Sequence, residues 1–283
     1  MSRVFMSKQY RFSPSVLDKM QKVLDAEEYF ESDFNLSDDG YKKSLDEIIA
    51  EREQELLDAI NKVPQEPSEA AAQGTAFNEC VDEYVNWKFT GMDYSDLMDK
   101  TGRVVVKDIK QDENGEHISW EAECDGFKFV FDGQLIKRVA EMVSDGTMQM
   151  HVQSELETTR GNTVLLHGYP DYIQPYRITD LKTTSSYAHG KYERYWQRFV
   201  YPYIIIHNNL MESLDEFRFL VVEMKKDRKS GIISGDVFEE SYTDVSSNDM
   251  EHIKTELEYI CTALIRFCES HEEQITNQYY KGV

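Results

Sequence analysis

Apolar residues recur at helical spacing in four parts of the chain. A helix is predicted to begin at Ser13, because serine followed by proline is a favourable N-cap and first-turn pair, and a second helix is predicted over residues 44–62. A short helix is predicted over residues 135–143. A long C-terminal helix is predicted from Asn248, which forms a capping-box pattern with Glu251.

Runs of alternating or β-branched residues lie between these helices and predict strands. They cover residues 104–106 at a sheet edge, residues 118–131 as a hairpin with Asp-Gly at its turn, residues 148–156 and residues 217–224. Residues 63–73 contain two prolines and predict a connector. The interleaving predicts an α/β protein with a mixed central sheet.

Two further runs, residues 164–173 and 176–182, predict a hairpin whose link contains a glutamine and a proline. With a turn there, residues whose numbers sum to about 350 face each other, so Asp171 is expected opposite Asp180. Lys182 follows Asp180 by two residues and therefore lies on the same face. The hairpin thus predicts two carboxylates and a lysine side by side.

Opposed carboxylates repel each other, and three arrangements relieve the repulsion. One carboxylate can be protonated, each can find its own cation, or one hard divalent cation can bind oxygens of both. The third arrangement suits metal-assisted hydrolysis, in which Lys182 would orient the nucleophile or offset developing charge. The alternative is an exposed hairpin with a surface ion pair between Asp180 and Lys182, and the residues alone leave both open.

The preceding strand limits which acidic side chains can join Asp171. With a turn near residues 159–161, Asp171 faces residues 149–151, so Glu155 and Glu157 are expected at the surface. His151 is a candidate neighbour of the site.

The motifs that follow residue 168 resemble a known family. Pro170-Asp171, then Asp180-Leu181-Lys182, then a helix with Gln197 and Tyr201 on one face is similar to the PD-(D/E)xK nuclease superfamily. Within it, the chain most resembles the RecB-like and phage-type exonuclease branch, which pairs a D…DxK hairpin with a QxxxY motif. The resemblance implies a restriction-endonuclease-like core, with a mixed central β-sheet flanked by helices and extra N-terminal helices.

The resemblance also implies roles for these residues. Asp171 and Asp180 would bind Mg²⁺ or Mn²⁺. Lys182 would position the attacking water and offset charge in the transition state. Gln197 and Tyr201 would orient the scissile strand or support the site.

Residues 74–78, GTAFN, resemble the GTxxH helix of the same branch, in which the histidine helps to bind metal. Asn78 stands at the histidine position. Its amide oxygen can still ligate Mg²⁺, and Glu79 or Asp82 could substitute. The alternative is that Asn78 and Glu79 are solvated helix surface.

Basic residues lie around the start of the helix that carries Gln197. Arg194 and Arg198, with Lys191 just upstream, are predicted to form a phosphate-positioning surface. A second basic cluster, residues 225–229, is expected to be a solvated loop, with contact to nucleic-acid phosphates as the alternative.

The length predicts one large α/β domain with extensions, or two domains. The 283 residues are 40% hydrophobic and 12% aromatic, which is enough for a sizeable core. We expect a single nuclease-like domain over residues 1–283, with an N-terminal helical part (1–73), a nuclease core (74–225), and a loop and C-terminal helix (226–283). The net charge of −22 argues against a broad nucleic-acid footprint and predicts modest, salt-dependent DNA binding.

Cysteine usage and hydropathy favour a reduced, cytoplasmic protein. Cys80, Cys124, Cys261 and Cys268 form no CxxC pair. Some relatives in the nuclease branch hold an iron-sulfur cluster through a late group of three cysteines, which this chain lacks, so no iron-sulfur cluster is expected. No signal-peptide or transmembrane pattern is found, and no membrane association is expected.

The predicted function is metal-dependent hydrolysis of DNA, more exonucleolytic than endonucleolytic, in recombination, repair or phage DNA processing. The substrate would be linear double-stranded or single-stranded DNA, and a homo-oligomer or a single-strand annealing partner fits such a role. Two alternatives remain. One is a catalytically inactive nucleic-acid-binding or assembly protein with this fold, and the other is a phosphohydrolase acting on small substrates.

Overall fold

The computed structural model describes residues 8–37, 40–90, 104–111, 113 and 117–282. The helices in this part of the chain are α1 Pro14–Leu24, α2 Ala26–Glu31, α3 Leu45–Ile60, α4 Glu69–Val85, α5 Gly133–Val143, α6 Gln197–His207 and α7 Met250–Ser270. The strands are β1 Gln9–Phe12, β2 Leu36–Ser37, β3 Gly40–Tyr41, β4 Val104–Gln111, β5 His117–Cys124, β6 Phe127–Asp132, β7 Thr147–Met148, β8 Val152–Glu157, β9 Thr163–Gly168, β10 Tyr172–Gln174, β11 Arg177–Thr184, β12 Glu216–Lys226 and β13 Ile233–Tyr242.

The protein is mixed α/β, with a mixed sheet and flanking helices. The strands of the large sheet follow the order β4-β5-β6-β13-β12-β11-β10-β7. At its centre β11 and β12 run parallel, whereas β10 and β13 run antiparallel to their central neighbours. A separate three-stranded sheet has the order β1-β9-β8, with β1 parallel to β9.

Alternation along the large sheet separates two hydrophobic cores. On β12, Phe219 and Val221 belong to a core that includes residues of α1, α6 and α7, whereas Leu220 belongs to a core that includes residues of α4 and α5. On β11, Leu181 belongs to the second core. Asp180 and Lys182 flank Leu181 and therefore point to the opposite face, toward α1 and α6.

The four helices predicted from apolar periodicity are confirmed as α1, α3, α5 and α7. Ser13 is the N-cap residue of α1, as predicted. The predicted capping box of Asn248 and Glu251 is wrong. The hydroxyl of Ser246 accepts from the N–H of Asn248, the carboxylate of Asp249 accepts from the N–H of Ser246, and a 3₁₀ turn precedes α7.

The predicted hairpin over residues 118–131 is confirmed as β5 and β6. Asp125 (φ 49°) and Gly126 (φ 84°) occupy its turn, where the left-handed backbone favours glycine. The edge strand is confirmed as β4, and residues 217–224 lie within β12. The predicted connector ends earlier than expected, because the side chain of Ser68 caps α4.

Two predicted strands are wrong in extent, and both errors lie beside the candidate site. Residues 164–173 form two strands, because β9 ends at Gly168 in the small sheet and β10 begins at Tyr172 in the large sheet. Pro170 between them has no N–H to donate to a strand ladder. The preceding run is divided in the same way into β7 and β8, near Gln149 (φ 44°). Asp171 therefore lies where the chain switches sheets.

Candidate active site

Asp171 and Asp180 occupy neighbouring positions, as the hairpin predicted. The register of β10 and β11 pairs Tyr172 with Thr179. Asp171, just before β10, and Asp180 on β11 therefore occupy the adjacent pair of positions. The side chain of Asp180 is only 2% exposed. The Oδ2 atom of Asp171 accepts a hydrogen bond from the backbone N–H of Leu181 at 2.8 Å. The tight turn and the register thus bring two carboxylates to one place.

The preceding strand contacts Asp171 where the register predicted. The N–H of Gln149 donates to the carbonyl of Asp171 at 3.0 Å. Glu155 lies away from the site, where it accepts a hydrogen bond from the side chain of Gln9, and both Glu155 and Glu157 are exposed, as expected. His151 is also exposed and lies 4.8 Å from the ring of Tyr169, measured between centroids.

The carboxyl of Asp171 has unusual electrostatics. Burial and the nearby charge of Asp180 raise its pKa well above the ordinary value, and Asp82 acts in the same direction. Lys182 and the N–H of Leu181 oppose this rise without cancelling it. The free energy of placing negative charge here is therefore unfavourable, and an added cation would lower it.

Asp180, Lys182 and Gln197 form a closed triangle of polar contacts. The Nζ atom of Lys182 lies 2.6 Å from Oδ2 of Asp180. The amide of Gln197 donates from Nε2 to Oδ1 of Asp180 at 2.7 Å, and its Oε1 accepts from Nζ of Lys182 at 2.7 Å. Since Gln197 is the first residue of α6, the start of this helix sets the orientation of both β11 side chains.

The ammonium group of Lys182 is enclosed by aromatic rings. Its Nζ lies 5.5 Å from the ring centroid of Tyr195 and 5.6 Å from that of Phe219. Burial by itself would lower the pKa of Lys182, but the carboxylates of Asp180 and Asp171 raise it above its ordinary value. Lys182 is therefore a fixed positive charge at neutral pH and not a general base.

Tyr201 lies one turn after Gln197 and closes the site on the side of β9. Its hydroxyl donates to the carbonyl of Tyr169 at 3.3 Å. Burial, together with Asp180 and Asp171, raises its pKa, so the hydroxyl stays protonated. A Cβ atom at Gly168 would lie 2.7 Å from the Tyr201 ring, so only glycine allows this approach. The structure thus brings all five predicted catalytic residues together.

Sequence reasoning missed one acidic residue at this site, Asp18 of α1. Its Oδ1 accepts a hydrogen bond from the N–H of Trp196 at 2.8 Å, and its charge interacts with Lys182 and Asp180. A cavity of about 240 Å³ is lined by Asp18 and Tyr195. The only sequence signal was a carboxylate directly after Leu17 of the apolar stripe, and this does not reveal a partner 178 residues away.

The predicted metal-binding residues of α4 lie on the other side of the sheet from Lys182. Among the described residues, neither Asn78 nor Glu79 is hydrogen-bonded to Asp171 or Asp180. Asp82, one turn after Asn78, accepts from the hydroxyl of Tyr172 at 2.5 Å and interacts electrostatically with Asp171. The α4 residue that the described contacts tie to the site is thus Asp82.

The three basic residues predicted to hold phosphates do not share one surface. Arg198 is buried and paired with Asp244 at 2.7 Å, so its prediction does not fit its position. Arg194 precedes α6 and pairs with Glu28 at 2.7 Å. Lys191 donates to the hydroxyl of Thr184 and to a carbonyl, and in the described structure it makes no ion pair.

The predicted basic cluster at residues 225–229 is exposed, as expected, but Lys225 and Lys226 end β12 and only the residues after them form the turn. Lys225 pairs with Asp236 at 2.8 Å and also approaches Glu223. The N–H groups of Lys229 and Ser230 donate to the carboxylate of Asp227. Part of the positive charge of this cluster is therefore compensated locally.

A divalent cation fits the donors at the sheet switch. Asp171 and Asp180 supply two carboxylates there. Asn78 lies on α4 on the other side of the sheet from Lys182, and its Oδ1 is a buried oxygen with no hydrogen-bond partner in the described structure. Asn78 lies one turn from Gly74, which approaches Thr183 of β11. No group of three or more His, Cys, Asp or Glu side chains is arranged to hold a metal among the described residues. Mg²⁺ needs only one or two carboxylates when waters and substrate phosphates complete its shell.

Comparisons with known proteins add no family to this description. No protein-family model matches the chain, and a search of curated proteins finds no match. None of the described helices has the length and apolar character needed to span a membrane.

Proposed function

We propose that this protein is a metal-dependent nuclease that hydrolyses phosphodiester bonds in DNA on a restriction-endonuclease-like core. The observation that carries the proposal is the closeness of two carboxylates, the half-buried Asp171 and the buried Asp180, to the ammonium group of Lys182. One lysine leaves this group of charges acidic. Two neighbouring carboxylates that are shielded from water are stabilised by a cation, and the cation in turn recruits a phosphate.

Each residue of the site has a role in this proposal. Asp171 and Asp180 would hold Mg²⁺ or Mn²⁺, which polarises a phosphoryl oxygen and lowers the pKa of a bound water. Lys182 offsets negative charge that develops on the phosphate, and its raised pKa keeps it protonated for that role.

Gln197 and Tyr201 position other groups of the site and do not transfer protons. Gln197 fixes the geometry between Asp180 and Lys182 through its two hydrogen bonds. Tyr201 packs against Gly168 and keeps β9, and thus the segment before Asp171, at a fixed distance from α6. The preference for exonucleolytic cleavage rests on the resemblance to the RecB-like and phage-type branch.

The test is degradation of linear and closed-circular DNA at low salt with Mg²⁺ or Mn²⁺. We expect the wild type to degrade linear DNA only, and Asp180→Asn and Lys182→Met to lose at least about 100-fold in rate. The Lys225 and Asp236 ion pair on the same sheet gives matched controls, Lys225→Met and Asp236→Asn, which should cleave like the wild type.

The outcomes separate the alternatives. Cleavage of circular DNA would favour an endonuclease. Cleavage that is unchanged in Asp180→Asn would contradict the proposed site. No cleavage by the wild type with either metal would reject DNA hydrolysis, and retained DNA binding would then favour a non-catalytic role. Hydrolysis of nucleotides but not of polymers would favour a phosphohydrolase of small substrates.

A further inference from the structure

A cavity of about 320 Å³ lies between the start of α1, the end of α3 and the C-terminal segment. Its lining includes the cationic side chains of Arg11, Lys19 and Lys62, together with the imidazole of His167. The whole chain has only 31 lysine and arginine residues against 53 acidic ones, so a cavity with this lining is unusual in the molecule. The proposed nuclease mechanism uses none of these four residues.

Strand alternation places two of these side chains together. Arg11 of β1 pairs with Leu165 of β9 in parallel register, and His167 lies two residues further along β9. Phe12 and Leu166, which alternate with them, are buried in the core. Arg11 and His167 therefore both point to the outer face of the three-stranded sheet.

The opposite wall is held by contacts between the end of α3 and the C-terminal segment. The N–H of Thr276 donates to the side chain of Asn61 at 2.7 Å. The side chain of Asn277 donates to the carbonyl of Ile60 at 2.9 Å. These contacts fix Lys62, which directly follows Asn61, at the rim of the cavity.

The positive charge in the cavity is only partly compensated. Lys19 lies 3.8 Å from a carboxylate oxygen of Glu55. In the part of the chain that the structure describes, neither Arg11 nor Lys62 makes an ion pair, and Nε of Arg11 and Nδ1 of His167 are buried without a hydrogen-bond partner. A buried guanidinium N–H such as that of Arg11 is rarely left without a partner in folded proteins, and here it points to an absent acceptor.

The pKa of His167 is consistent with uncompensated positive charge in the cavity. Burial lowers its pKa to about 4, and the cationic side chains of Arg11 and Lys62 act in the same direction. The N-terminus of α1 contributes further positive potential, because Ser13 makes no side-chain capping bond and the first turn carries no acidic residue.

We propose that this cavity is a binding site for a phosphate group. Arg11 offers a guanidinium fork suited to phosphate oxygens, Lys62 and Lys19 add charge, and the hydroxyls of Ser13 and Ser15 line the same space. The ligand is either free phosphate or a phosphate group of a nucleic acid. Both present the same chemistry to the cavity.

The position of the cavity links it to the proposed nuclease site. Asp171 is four positions after His167, so their Cα atoms are at most about 14 Å apart. A short oligonucleotide is long enough to span this distance. This link rests on the proposed function, whereas the phosphate site itself does not.

The first experiment measures binding of inorganic phosphate to the full chain by calorimetry, in buffer with EDTA. We expect the double variant Arg11→Gln/Lys62→Gln to bind at least about tenfold more weakly than the wild type. A matched control, Arg160→Gln/Lys254→Gln, removes the same charges from exposed positions elsewhere and should bind within about twofold of the wild type. Circular dichroism checks that each variant is folded.

Three results would overturn the phosphate site. The first is a wild type that shows no saturable binding up to about 10 mM phosphate. The second is a folded Arg11→Gln/Lys62→Gln variant that binds as tightly as the wild type. The third is an equal loss in the Arg160→Gln/Lys254→Gln control, because it would show that only net charge matters.

The second experiment identifies the source of the phosphate. Oligonucleotides with and without terminal phosphates are compared on Asp180→Asn protein, again in EDTA. A nucleic-acid site requires that the terminal phosphate strengthens binding and that Arg11→Gln/Lys62→Gln removes this advantage. If inorganic phosphate binds but the terminal phosphate brings no advantage, the cavity takes free phosphate.

These results separate the two proposals. Protein that binds phosphate here but cuts no DNA keeps the site and rejects the hydrolysis. If the protein cuts DNA but binds no phosphate in the cavity, the hydrolysis is kept and the phosphate site is rejected.

Discussion

Asp18 carries a free-energy cost at neutral pH that a single substitution can remove. Burial raises its pKa to about 6, although the N–H of Trp196 and the charge of Lys182 act to lower it. A carboxyl whose pKa is raised in the folded state favours the fold while it is protonated. That contribution to stability is present below about pH 4 and is lost as the pH rises through about 6, and its size is about 2–3 kcal/mol.

Asp18→Asn keeps an oxygen that can accept from Trp196 but removes the ionisation. We expect the free energy of unfolding of the variant, relative to the wild type, to increase by about 2 kcal/mol between pH 4 and pH 7. Urea unfolding at both pH values measures it. Asp33→Asn, at an exposed position, should give no such change. A difference from the wild type that is equal at pH 4 and pH 7 would contradict the assignment.

At the scale of elements, the close approach of α4 to β11 depends on Gly74. A Cβ atom there would lie 2.6 Å from Oγ1 of Thr183. Gly74→Ala should therefore destabilise the wild type by about 1–2 kcal/mol. In a Thr183→Ala background the clash is absent, and the same substitution should stabilise the protein by up to about 1 kcal/mol through helix propensity. Urea unfolding of the four proteins gives this double-mutant cycle, and an effect of the same sign in both backgrounds would refute the contact.

Local patterns were sufficient to predict several elements and the centre of the site. The helices α1, α3, α5 and α7 follow from apolar periodicity, because each buries one stripe against a core. The grouping of Asp171, Asp180 and Lys182 follows from one tight turn and the period of a strand. Both depend only on residues close in sequence.

What the sequence could not reveal depends on contacts between distant residues. Residues 164–173 keep one alternating pattern although the chain changes sheets within them, since β9 and β10 are both half-buried. Arg198 could not be recognised as an interior residue, because its partner Asp244 lies 46 positions away on a loop. Asp18 was missed for the same reason. Its contact with Trp196 exists only after α1 packs beside α6.

At the scale of the whole molecule, the net charge of −22 confines any nucleic-acid contact to small positive areas. The described candidates are the cavity with Arg11 and Lys62, Lys191 beside Thr184 of β11, and the exposed basic cluster at residues 225–229. If two to four phosphates are contacted, the dependence of log affinity on log salt has a shallow slope. Binding of single-stranded DNA should then weaken by about 7- to 50-fold between 50 and 200 mM salt.

Fluorescence anisotropy of a labelled oligonucleotide with Asp180→Asn protein, in EDTA, measures this slope without cleavage. Replacement of Lys191 with glutamine should make the slope shallower by about 0.7, which corresponds to one phosphate contact on single-stranded DNA. The same replacement of Lys254, which is exposed on α7, should leave the slope unchanged. A slope steeper than about −5, which corresponds to a loss of about 1,000-fold over this range, would require a broad basic surface. Since such a surface conflicts with the excess of 53 acidic over 31 basic residues, that result would place DNA on a partner chain or on a second copy and not on this molecule alone.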